Sequence, residues 1–117
     1  MKAQNEVLTL SRSFGSRIVK LYRYLITEHK EYILSKQIVR SGTSVGANIH
    51  EARYAQSRSD FISKMHIALK EASETEYWLF LLYDGGYLQA SLYESLQQDC
   101  ASLIRLLTAI LNTSKKS

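Results

Sequence analysis

Three histidines, one cysteine and a run of glutamates are the residues of this 117-residue sequence whose chemistry is tested first. Helical proteins hold paired metal ions with Glu-x-x-His on facing helices. Here the residues three before His29, His50 and His66 are Ile26, Ala47 and Ser63, none a carboxylate. No histidine has an acid or a second histidine four residues away, and a lone cysteine cannot build a zinc site. No metal and no cofactor are expected. Cys100 falls on an apolar stripe, where a cysteine acts as a small hydrophobe. The serines lack a nucleophile elbow and any marked Ser–His–acid arrangement. Ser41-Gly42-Thr43-Ser44-Val45-Gly46 resembles a phosphate loop but lacks the Gly-Lys-Ser/Thr ending. Its two glycines, four apart, suit close helix packing instead. Glu71, Glu74 and Glu76 offer carboxylates for acid–base work. Lys70 nearby, and Arg40 or Arg53 across a groove, favour ion pairs. No catalytic constellation emerges, so the expectation is a protein that is not an enzyme.

Charge is the other resource. Fifteen Lys and Arg against eleven Asp and Glu give a formal +4, with a pI near 9.2. That balance permits a polyanionic partner without requiring one. The bases are scattered with no strongly basic run. Arg17, Lys20, Arg23 and Lys64 lie off the apolar stripes and are the candidate nucleic-acid contacts. Eight tyrosines and Trp78 could stack on bases, although core or interface anchoring is the first account of Tyr77 and Trp78.

The elements that must position these groups are helices. The chain contains no proline and five glycines, and is 45% hydrophobic. Four segments repeat apolar residues at steps of three and four. The first spans about 5–29, with Val7, Leu10, Phe14, Ile18, Leu21 and Leu25 inward. The second spans about 36–55, capped by Ser35, with Ile38, Gly42, Val45, Ile49 and Ala52 inward and a small polar stripe of Gln37, Ser41, Ser44 and Asn48 beside it. Its glycines each cost about 1 kcal/mol of helix propensity, so packing on two sides must hold it. The third spans about 58–83, opened by Ser57 with Asp60 in a capping-box pattern, supported by a Lys70–Glu74 pair and stopped by Gly85-Gly86. Its stripe is Phe61, Met65, Ala68, Ala72, Thr75, Leu79 and Leu82. The fourth spans about 90–112, with Tyr93, Leu96, Cys100, Leu103, Leu107 and Ile110 inward and a frayed tail at 113–117. Connections of about six, two and six residues force antiparallel neighbours. The fold class is all-α: one domain over 1–117, an antiparallel up-down-up-down four-helix bundle. No apolar run approaches the roughly 18 residues of a membrane span. One cysteine and no signal-peptide pattern point to a cytoplasmic protein.

Two stretches carry a resemblance: QIVRSGTSVGANIHEA (37–52) and SDFISKMHIALKEASETEYWL (59–79). Arg40 followed by small residues and Ala47-Asn48-Ile49, and Lys70-Glu71-Ala72 followed by Glu74 and Tyr77-Trp78, are the specific combinations. The chain resembles the four-helix-bundle proteins encoded in intervening sequences of bacterial 23S rRNA genes. These are related to the accessory variability determinant proteins of diversifying retroelements. The resemblance implies a ring-like homopentamer, and the genomic setting implies RNA or a nucleoprotein as partner. The polar residues Gln37, Arg40, Asn48, Glu51, Glu71 and Glu74 are then candidates for assembly or interhelical contacts. The competing expectation is a protein-interaction scaffold with no nucleic-acid role.

Overall fold

Four stretches bury an apolar stripe, and each is a helix in the computed structural model, which describes residues 2–116, the side chain of the last excepted. They are α1 (Lys2–Glu28), α2 (Leu34–Ala52), α3 (Arg58–Asp84) and α4 (Ala90–Lys116). Helices consecutive in the chain pack on each other, and α4 closes back on α1. The pairs α1/α3 and α2/α4 lie on the diagonals. Five-residue connections make neighbours antiparallel, and the described residues form a rod 47 × 22 × 19 Å.

Where sequence and structure differ, the causes are local. The α2–α3 connection is five residues, because α2 ends at Ala52 rather than Ala55. Arg53, Tyr54 and Ala55 donate to His50, Glu51 and Ala52, bonds of the tighter three-residue turn. Nothing apolar at these positions faces the core to hold a further α-turn. At the other end of α2, Ser35 is not the cap. The Glu31 carboxylate accepts the N–H groups of Ile33, Leu34 and Ser35 at 3.2, 3.0 and 2.7 Å. The Ser35 hydroxyl instead donates to the Glu31 carbonyl at 2.7 Å. The expected frayed tail is helical through Lys116, while Ser117 lies outside the described residues. Ser57 does cap α3, accepting from Asp60 N–H at 3.0 Å. The Asp60 carboxylate reaches back to the N–H of Gln56 rather than to that of Ser57. Gly86, at φ +85°, takes the left-handed position after α3, and Tyr87 N–H closes onto Leu82 carbonyl.

The core follows the stripes with one exchange. Ser11, not Leu10, is fully buried on α1, its hydroxyl turned onto Leu8 carbonyl. Leu10 is half-buried beside α4. Helix α2 touches partners on two sides. A Cβ on Gly42 would stand 2.8 Å from Ile18 Cγ2 of α1, so the glycine sets that approach. On its other side the buried hydroxyls of Ser41 and Thr75 of α3 are hydrogen-bonded at 2.8 Å. Three other short polar side chains of α2 turn onto their own helix. Thr43 donates to Val39, Ser44 to Arg40 and Asn48 to Ser44 carbonyls. With Arg17 meeting Asp99 on the fourth side, residues 18, 42, 75 and 99 mark one cross-section of the bundle.

Candidate nucleic-acid and assembly surfaces

Two kinds of surface follow from this frame. The first is the outer face of α1. Residues 7–27 contain Arg12, Arg17, Lys20 and Arg23 and no acid. At 1.5 Å per residue this stretch runs about 30 Å. The core side is Val7, Phe14, Ile18 and Leu25, so the helical repeat puts Arg12, Lys20 and Arg23 opposite, with Thr9, Ser16 and Thr27 between them. All six are exposed. Cations and hydroxyl groups in file are what a phosphate chain requires.

The four sequence candidates do not form one patch. Lys20 and Arg23 share the outer face of α1. Arg17 sits at its edge, where its guanidinium binds Asp99 at 2.8 Å and Ser95 Oγ at 2.9 Å, tying α1 to α4. Lys64 lies on α3, the diagonal helix, and pairs with Glu51 of α2 at 3.0 Å. That hydrogen bond and the carboxylate charge hold the ammonium pKa above its ordinary value. Lys64 is also displaced along the rod. It shares a level with Glu51, nine residues past Gly42, or roughly 13 Å from the Arg17 cross-section.

The polar candidates of α2 and α3 divide in two. Gln37, Arg40, Glu71 and Glu74 converge. Arg40 donates to Glu71 at 3.1 Å, to Gln37 Oε1 at 3.4 Å, and to Glu74. Glu74 Oε2 also accepts the Trp78 indole N–H at 2.8 Å. The carboxylate that α3 propensity would pair with Lys70 is therefore held by α2 and by the indole. Arg53 does not join this cluster; it lies over the ring of Tyr54, 5.6 Å from the centroid. Glu51 and Asn48 stand apart, one on Lys64 and the other on its own helix. Asp99, Ser95, Trp78 and Glu31 were not foreseen as partners. Only Trp78, four residues past Glu74, carried a spacing that could have shown it.

The second kind of surface is apolar. Helix α3 exposes Tyr77, Phe80 and Tyr83, by 56, 48 and 39%, as well as Ile67. The α1–α4 seam is open in two clefts on either side of the Arg17–Asp99 bridge. The larger, about 1150 Å³, has Leu10, Leu106 and Ala109 in its wall, with Lys2 and Arg105. The smaller, about 310 Å³, is lined by Arg17, Lys20, Leu21, Tyr24, Leu92 and Leu96.

The chemistry elsewhere is quiet. Cys100 is fully buried and its thiol points at Ala72 carbonyl, 3.2 Å away. Burial, with lesser pushes from Glu76 and Asp99, raises its pKa to about 12. His29 bonds the Tyr24 hydroxyl at 3.0 Å and sits edge-on to Tyr24 and Tyr87. His50 meets the Tyr54 ring edge-on. Among the described residues, no three of His, Cys, Asp or Glu are grouped to hold a metal, and no helix is long and apolar enough to cross a membrane.

Comparison with known proteins bears on these surfaces. Residues 3–109 match the family model described as 23S rRNA-intervening sequence protein. A crystal structure of a protein with unknown function from the S23 ribosomal protein family, from Bacteroides thetaiotaomicron VPI-5482, is similar. Identity is 53% over 94% of this chain and 98% of that one, with a TM-score of 0.92. Among curated proteins none matches the chain.

Proposed function

Because this chain belongs to the family of 23S rRNA-intervening sequence proteins, we propose that it is a non-enzymatic, self-assembling module of the cytoplasm that binds RNA, alone or within a nucleoprotein. The ring of five implied by the resemblance is the assembly proposed. The observation that carries the RNA reading is the outer face of α1, with four bases and no acid over residues 7–27. Lys20 and Arg23 are the primary phosphate contacts, with Arg12 on the same face. Arg17 lends its charge from the seam while holding Asp99. Lys64 would meet RNA only as a separate contact on α3, in competition with Glu51. Several copies around one axis multiply the phosphate contacts, and affinity grows with each counterion released.

The test is a titration against structured RNA, single-stranded RNA and duplex DNA at low and physiological salt. RNA-preferring binding that survives physiological salt is expected. Replacing Lys20 or Arg23 by alanine should lower the salt slope by about one unit each, uniformly across sequences. A slope unmoved by the pair together removes α1 as the contact face. The rival reading, an assembly scaffold, is favoured by the Arg40–Glu71–Glu74 cluster, which engages polar side chains in structure rather than leaving them for a ligand. Binding that is absent, or indiscriminate and lost at physiological salt, would decide for it.

A further inference from the structure

We propose that copies of this chain join head to tail, with the Tyr77–Phe80 ridge of α3 in one copy seated in the smaller α1–α4 cleft of the next. This rests on the self-assembly reading above and assigns its faces. The ridge and the cleft are different surfaces of one molecule, so their contact is heterologous and closes into a ring when the rotation permits.

Three observations select a second copy as the occupant. The ridge is aromatic and half-exposed, while the cleft is walled by Leu21, Tyr24, Leu92 and Leu96. The two also lie at the same height. Tyr77 and Phe80 are two and five residues beyond Thr75, about 3 and 7.5 Å above the shared cross-section. Leu21 and Tyr24 are three and six beyond Ile18, about 4.5 and 9 Å up. On the descending α4, Leu96 and Leu92 precede Asp99 by three and seven residues, about 4.5 and 10.5 Å up. Rotation about an axis parallel to the rod leaves height unchanged, so a ring of upright copies brings ridge to cleft without sliding. Finally, the charges oppose. Residues 71–84 of α3 hold Glu71, Glu74, Glu76 and Asp84 and no base, whereas residues 7–27 of α1 hold four bases and no acid. Arg40 occupies the first two acids and Asp99 occupies Arg17; Glu76 and Asp84 then flank the ridge on α3, and Lys20 is the base at the border between the cleft and the outer face of α1. Complementary potentials of this kind set register and exclude the like-charged orientation.

The experiment is disulfide trapping with Phe80→Cys and Leu92→Cys, read by non-reducing electrophoresis beside the native mass from light scattering. Both positions are exposed and Cys100 is buried, so the introduced thiols react. The double variant should give a ladder of cross-linked copies and each single variant none. An assembled protein whose double variant stays uncross-linked overturns this pairing of faces and leaves self-assembly standing. Dimers from Phe80→Cys alone overturn it in favour of α3 meeting α3. A monomeric mass for the unaltered protein at about 100 µM overturns both this pairing and the self-assembly reading. As a second arm, Phe80→Glu should weaken assembly at least 10-fold with helical circular dichroism unchanged, and unweakened assembly counts against the ridge.

Discussion

Replacing Gly42 by alanine sets two effects of known size against each other. Alanine gains about 1 kcal/mol over glycine in a helix interior. The new methyl group, however, would stand 2.8 and 3.0 Å from the two γ-carbons of Ile18 and 3.3 Å from its Cβ. Ile18 is fully buried and β-branched, so it has no free end to swing away and few rotamers to choose from. Overpacking of this kind costs about 1–3 kcal/mol, and contact reaching the Cβ places Gly42→Ala in the upper part of that range. The expected balance is a loss of about 1–2 kcal/mol. Gly46 supplies the control. Its Cβ would meet Ser11 carbonyl oxygen at 3.3 Å and Ser11 Oγ at 3.5 Å. A shift of a few tenths of an ångström relieves that, so Gly46→Ala should lie within about 1 kcal/mol of the parent, on either side. The assay is urea unfolding followed by far-ultraviolet circular dichroism at one fixed protein concentration, since assembly would itself add stability. Ile18→Ala removes both γ-carbons, so the double variant should be less destabilised than the sum of the singles by about 1–3 kcal/mol. A Gly42→Ala protein stabilised by the full propensity gain would refute close helix approach as the reason for glycine there.

Three further outcomes follow from the same contacts. Burial raises the Glu31 pKa somewhat, and the N–H groups of Leu34, Ser35 and Ile33 outweigh it, so the folded value lies below the ordinary one. Its contribution is therefore complete above the usual glutamate range and lost as pH falls through it; Glu31→Ala should cost about 0.5–2 kcal/mol at pH 7, and much less at pH 3, by urea titration at each pH. Cys100, with its pKa pushed up to about 12, should resist a thiol reagent at pH 8 in the folded protein and react at the rate of a free thiol in denaturant; equal rates would mean the α3–α4 contact opens readily. Arg40→Ala should cost about 1 kcal/mol, since the guanidinium is half exposed at 49%. That loss should shrink in 1 M salt; a loss indifferent to salt would make the contact one of packing rather than charge.

The fold was legible in the sequence because steps of three and four report burial directly. The inward residues of α2 are Ile38, Gly42, Val45, Ile49 and Ala52, as the pattern requires. Leu10 departs from its stripe because the α1–α4 seam is open beside it, and periodicity along one helix says nothing about how close its neighbour stands. Ser35 has the short hydroxyl side chain that usually caps a helix. A glutamate reaching forward over three amides does the same work from further back, and carries no comparable signature. The polar site was legible in part. Arg40 with Glu71 and Glu74 could be expected from charge. The Arg17–Asp99 bridge spans 82 residues of chain, and only the closed bundle brings those residues together. The basic face of α1 is a matter of absence as much as presence, visible once the helix is known to be unbroken from Lys2 to Glu28.

The placement of α2 between partners from both sides of the chain also bears on the order in which the protein forms. When α2 leaves the ribosome, α1 already exists but α3 does not. Its glycines make it a poor helix alone, and its second flank waits for Thr75, Glu71 and Glu74, more than 30 residues downstream. A two-helix nascent chain thus has Ile18 to pack against Gly42 but lacks the α3 partners of Ser41 and Arg40. Stable structure must wait for α3, and α4 then seals both Cys100 against α3 and Arg17 against Asp99. Folding is thereby delayed until α3 and α4 have been made, and any partner that engages α1 beforehand meets its basic face on a bundle that has not yet closed.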